Sequence, residues 1–173
     1  MADLLSHVLI AFIIFTVAGW AVDWLGRRWV AVGMVGAILP DLDLAEVLVD
    51  GSVVSRSIGL PFDWGAIHTL GGVLLLAAAG AVLFERAAQR RRAFLLLGAG
   101  GIVHLAVDGT KAWADGANGV SLYPFSWWRN PTPGLYAPGD RRVLVVAVVV
   151  AGAVWLLDRY LVQALRDRPT SDG

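Results

Sequence analysis

The sequence predicts an all-α integral membrane bundle of about four to five transmembrane helices, one of them broken near Pro40. Three observations carry this expectation. Hydrophobic residues make up 57% of the 173 residues and charged residues only 16%, whereas a soluble domain usually carries about 25% charged residues. Four apolar stretches, residues 4–22, 67–84, 93–107 and 143–157, reach or approach the roughly 20 residues that cross a bilayer. A fifth, residues 29–39, is too short to span and runs into Pro40, which disfavours helix at the residue before it.

Each element follows from its own residues. The first stretch lacks a basic leader, and Asp23-Trp24 follows it where small residues would mark a cleavage site, so it reads as a retained helix. Residues 29–49 read as a broken helix, or a helix followed by a re-entrant segment, with a short helical pattern over 42–49. Irregular backbone at membrane depth persists only where it is buried in protein or lines a wet cavity. Asp41 and Asp43 follow the break and point to such a cavity. The third and fourth stretches fall a few residues short, which flanking arginines cover by snorkelling. Residues 50–63 and 109–140 read as loops. The second is long enough to suggest function and carries Trp127-Trp128, a residue type suited to the membrane interface. Residues 166–173 read as a polar tail. The whole chain, 1–173, is one domain's worth.

Arg and Lys set the orientation. With the N-terminus outside, nine fall on the inner face and five on the outer, together the 14 in the sequence. Nine of the 14 acidic residues gather on the outer side. The formal net charge is zero, which argues against nucleic acid as a partner. No cysteine is present, so disulfides and thiolate metal sites are excluded, and any metal must rest on His, Asp or Glu.

On this topology the three histidines converge with three aspartates. His7 lies near the outer end of the first helix, and Asp41 and Asp43 follow the broken second. His68 opens the third, and His104 and Asp108 close the fourth. His104 and Asp108 are four residues apart, so both point from one helix face. Pro40 can start a helix whose first turn holds Asp41 and Asp43, where the dipole favours carboxylates. Imidazole with carboxylate suits zinc, with manganese or magnesium as alternatives. Six ligands exceed the need of one tetrahedral ion, so one or two ions are expected.

At these residues the chain resembles the YdjM-type family of inner-membrane metal-dependent hydrolases. The matching motifs are Gly36-Ala37-Ile38-Leu39-Pro40-Asp41-Leu42-Asp43, His68-Thr69, His104-Leu105-Ala106-Val107-Asp108, and Gly119 to Ser126, over roughly residues 1–130. His7 also falls where that family has a histidine. The chain departs from the family before His68, where Asp63 stands near the place of a further His. The resemblance implies a hydrolase of the cell's inner membrane, and the order of its motifs is similar to that of zinc-dependent phospholipase C enzymes. The expectation is a phosphoesterase acting on a small-molecule or lipid ester at the outer membrane face. His7, His68, His104 and Asp108 would be ligands, and Asp41 and Asp43 would supply a ligand and the general base for a metal-activated water. Lys111 and Arg129 would steady an anionic substrate. The alternative is a non-catalytic membrane protein that transports an ion or uses it structurally.

Overall fold

The computed structural model describes residues 2–162. The expected polar tail, with Arg166 and Arg168 of the charge count, lies outside the described residues. Every regular element among those residues is helical: α1 (Ala2–Ala21), α2 (Arg27–Gly36), a 3₁₀ segment (Leu39–Val47), α3 (Gly51–Ile58), a second 3₁₀ segment (Trp64–His68), α4 (Leu70–Val82), α5 (Ala87–Asp108), α6 (Arg141–Leu157) and a closing π turn (Asp158–Val162).

Helix α5 is the spine. It packs against α2 on one side and α4 on the other, while α1 packs on α2 and carries α6. Glycines make this possible. A Cβ on Gly100 would stand 2.1 Å from the Gly33 carbonyl oxygen and 2.8 Å from the Ala37 nitrogen. The α2 and α5 backbones therefore touch, an approach open only to small residues. Ala11, Phe15, Trp29, Val30, Ala93 and Leu96 fill the core between α1, α2 and α5. Outward faces are apolar instead of charged: Ile14 and Val17 on α1, Leu75 and Val82 on α4, and Val145, Val146 and Val149 on α6 are exposed. An apolar surface of this extent suits lipid, not water.

The helices alternate in direction. α1 and α4 begin, and α2 and α5 finish, at one end of the bundle, where His7 meets Asp108. Arg27, Arg28, Arg86 and Arg90–Arg92 begin α2 and α5 at the other end. α6 runs parallel to α1, since Trp20 Nε1 donates to Asp158 Oδ1 at 3.2 Å where both helices finish.

Three expectations are revised. Among the described residues, two helices are long and apolar enough to cross a membrane by length and composition, over Leu4–Ala21 and Arg141–Tyr160. α4 has 13 residues, about 20 Å at 1.5 Å per residue, against roughly 30 Å of hydrocarbon. Its first expected residues, Ile67 and His68, belong to the preceding 3₁₀ segment because Thr69 intervenes as an N-cap, accepting from the Gly72 N–H at 3.2 Å. The loop expected at 50–63 contains α3, capped by Asp50 and closed by Gly59 at φ 69°. The helical pattern after Pro40 is a 3₁₀ segment.

Candidate metal centre

The centre begins with the end of α5. His104 and Asp108, one helical turn apart, are both fully buried. His104 Nδ1 donates to the Ala37 carbonyl at 2.8 Å. That bond is a product of the α2–α5 contact, because Ala37 follows the turn that Gly100 admits. It makes Nδ1 a donor and turns Nε2 towards the centre. Nε2 has no hydrogen-bond partner and faces Asp41 Oδ1 at 3.6 Å and Asp108 Oδ2 at 3.5 Å. Both oxygens belong to acceptor-only carboxylates. An imidazole nitrogen and two carboxylate oxygens thus converge in a buried position, an arrangement that a cation stabilises and that is costly otherwise.

Asp108 is the hub. Its Oδ1 accepts from His7 Nε2 at 2.7 Å and pairs with Lys111 Nζ. Its Oδ2 lies 3.0 Å from His68 Nε2. His68 Nδ1 in turn bonds Asp43 Oδ2 at 3.2 Å. The His7 ring stacks on His104 with centroids 3.9 Å apart. Asp41, His68 and His104 each offer a donor atom within 4.8 Å of the others, as do His7, His104 and Asp108. The separations around His104 Nε2 and Asp108 Oδ2, 3.0 to 3.6 Å, match the about 3.4 Å edge of a tetrahedron with ligand bonds of about 2.1 Å. Charge agrees with geometry: three carboxylates against the single ammonium of Lys111 give the cluster an acidic excess before the imidazoles are counted, which suits a cation.

Burial alone would depress the His68 imidazole, but its hydrogen bonds to Asp108 and Asp43 outweigh this and raise it from 6.5 to about 9. Metal binding there must displace that proton.

The sequence matches the family described as YdjM inner membrane protein over residues 1–166. The chain belongs to the YdjM family. No curated protein and no solved structure gives a match. The YdjM match runs on through α6 instead of stopping near residue 130, and it makes this chain an inner membrane protein.

The cluster in this YdjM chain thus gathers His7, Asp41, Asp43, His68, His104 and Asp108. The two basic residues expected at the substrate are placed otherwise. Lys111 is buried against Asp108, so its charge is spent inside the centre. Arg129 pairs with Asp115 on an exposed part of the loop, and the guanidinium holds the Asp115 carboxyl below its usual value. Asp63 accepts from the Gly65 N–H at 2.7 Å and caps the second 3₁₀ segment. Sequence reasoning did not anticipate the Ala37 carbonyl, Trp113 or Tyr136. Trp113 Nε1 donates to the Asp108 carbonyl at 3.1 Å, and the Tyr136 hydroxyl donates to the Val107 carbonyl at 3.0 Å, which ties the long loop to the end of α5. The glycines at 33, 36 and 100 were the available signal for the Ala37 contact.

Proposed function

We propose that this YdjM-family protein is a membrane-embedded, metal-dependent hydrolase that cleaves a phosphoester at the extracytoplasmic face of the inner membrane. The observation that carries the reading is the buried, partnerless His104 Nε2 aimed between two carboxylates. His104, Asp108, His68 and Asp41 would hold a divalent ion. Zinc suits the donor set best, with manganese or magnesium as alternatives. Such an ion supplies Lewis acidity and brings the pKa of water towards about 7. His7 and Lys111 keep Asp108 ionised and aimed. Asp43 orients the His68 ring through Nδ1, a supporting contact typical of metal sites, and keeps its second oxygen to take a proton.

Topology supports the placement. In this reading α1 and α6 cross the bilayer outright, α5 and the shorter α4 cross with flanking arginines reaching to the interface, and the arginines that begin α2 and α5 lie on the cytoplasmic side. His7 lies five residues inside α1 and His104 four residues inside α5, about 6–8 Å below the helix ends. That depth is close to the boundary between headgroups and hydrocarbon.

A purely structural ion is the competing reading. It needs a closed site, whereas a catalytic one keeps an open position. The half-buried His68 borders a cavity of about 530 Å³, which favours catalysis. The test is metal content of the detergent-solubilised protein beside His68→Ala and His104→Ala variants, followed by phosphoester turnover. Near-stoichiometric metal, lost in both variants, with turnover in the wild type, supports the proposal. A folded wild type that takes up no metal after reconstitution sinks it.

A further inference from the structure

Two cavities meet at the segment between Asn118 and Ser121. One, about 530 Å³, is lined by His68, Asp63, Thr69 and Tyr123 and opens beside the metal centre. The other, about 480 Å³, is lined by Leu70, Ile102, Leu105, Leu122 and Trp128, on the outward side of α5. Asn118 and Ser121 line both. The partition is fastened in place, since the Leu70 N–H donates to the Ser121 carbonyl at 2.8 Å and the Asn118 N–H to the Asn130 carbonyl at 2.8 Å.

We infer that the substrate is an amphiphile of the bilayer, with its phosphate-bearing head in the cavity beside His68 and its hydrocarbon chain in the more apolar cavity beneath the loop. This deepens the hydrolase reading and rests on it. The cavity that reaches His68 also carries Asp63, Thr69 and Tyr123, whereas its neighbour across the 118–121 segment is the more apolar of the two. Asn118 supplies a second observation. Its Oδ1 accepts from the Gly119 N–H at 2.9 Å, which identifies the other end as nitrogen. That Nδ2 is buried and has no hydrogen-bond partner. An unpaired buried donor costs about 1–3 kcal/mol, and a phosphate or ester oxygen of the head would relieve it after a small shift of the segment.

The mouth points the same way. Trp127, which lines the cavity beside His68, is 74% exposed, and Trp128, which lines its neighbour, is 54% exposed. Large apolar side chains at the rim of a site that draws substrate from water are a liability. Immersed in the headgroup layer they become anchors, and the aromatic pair Trp127 and Trp128 belongs at that depth. A substrate already in the leaflet then reaches His68 by lateral movement. A water-soluble phosphoester would use neither the apolar cavity nor the rim.

The experiment is photolabelling of the full chain, metal-reconstituted in phosphatidylcholine nanodiscs, with a phosphatidic acid analogue carrying a diazirine in mid-chain. Peptide mapping should place most label on residues 102–128. Excess phosphatidic acid should reduce it at least tenfold, whereas equal diacylglycerol or a soluble phosphomonoester should not. Leu105→Trp fills the apolar cavity, and Asn118→Leu removes the donor. Both should lose the selective label, with bound metal reporting that they remain folded. Label spread evenly over the outward faces of α1, α4 and α6, indifferent to competitor, would mean boundary lipid only and overturn the inference while leaving the hydrolase reading intact if metal is bound. Displacement by the soluble ester as readily as by phosphatidic acid overturns it too. Absence of metal from the same sample fails the hydrolase reading and takes the substrate assignment with it.

Discussion

Substituting Gly100 by alanine tests whether the metal centre is built by the helix crossing beneath it. The new Cβ would stand 2.1 Å from the Gly33 oxygen and 2.9 Å from the Gly36 carbonyl carbon. Backbone cannot yield locally there, so α2 must retreat by about 1 Å, a shift of the kind that overpacked cores make. Ala37 moves with α2. Its carbonyl, now 2.8 Å from His104 Nδ1, would end near 3.8 Å, beyond hydrogen-bonding range. Overpacking costs about 1–3 kcal/mol and the lost bond about 1 more, a total of roughly 2–4 kcal/mol. The imidazole loses its orienting partner, and such losses typically weaken metal binding about 10–100-fold. Thermal stability in detergent and metal titration by competition with a chelator would read both effects. Gly98→Ala is the control. Its Cβ meets only Ala77 at 3.9 Å, so two residues away on the same helix the same change should be nearly neutral. A Gly100→Ala protein with wild-type metal affinity, or equal damage from Gly98→Ala, would refute the reasoning.

Two further outcomes follow from the charges at the centre. In metal-free protein, the His68 value raised to about 9 means that its ion pairs stabilise fully below pH 6.5 and that this contribution fades as pH rises through 9, by at most about 3 kcal/mol. Apparent metal affinity should climb over the same window as the proton is released, and a flat titration of metal-free stability from pH 6 to 9.5 would contradict the assignment. Lys111→Met removes a buried charge from Asp108. It should cost the metal-free protein about 3 kcal/mol, and saturating metal should restore much of that in a melting experiment.

Patterning exposed the architecture where long-range forces left a local trace. The apolar runs of α1 and α6 announced themselves by composition, and the interval between His104 and Asp108 announced a shared helix face. Pro40 marked the break, since its ring constrains the residue before it whatever the surroundings. Boundaries set by tertiary contact were harder to read. Thr69 as an N-cap outweighed the continuous apolar pattern of residues 67–84 and made α4 short. Asp50 and Gly59 cap α3 within a segment whose composition reads as loop. The inward placement of Lys111 has a plain cause. A lone lysine in a polar loop looks available for substrate, and only folding reveals that residue 111 completes one more turn beyond Asp108 and swings its ammonium inward. The Ala37 carbonyl belongs to the backbone and leaves no mark in residue identity, so the glycines opposite it were its only advertisement.

His7 and Asp108 are 101 residues apart in the chain, yet share the hydrogen bond at the heart of the cluster. At about 5–20 residues per second of synthesis, His7 waits on the order of 5–20 seconds before its partner is made. Until α5 is inserted, the early histidine and the Asp41–Asp43 pair lack their hub. On the proposed reading an ion would be a late arrival in biogenesis, admitted only to a chain whose first five α-helices are already in place. Loading would then serve as a record that insertion was completed, and a truncation that stops before Asp108 is expected to take up no metal however much is supplied.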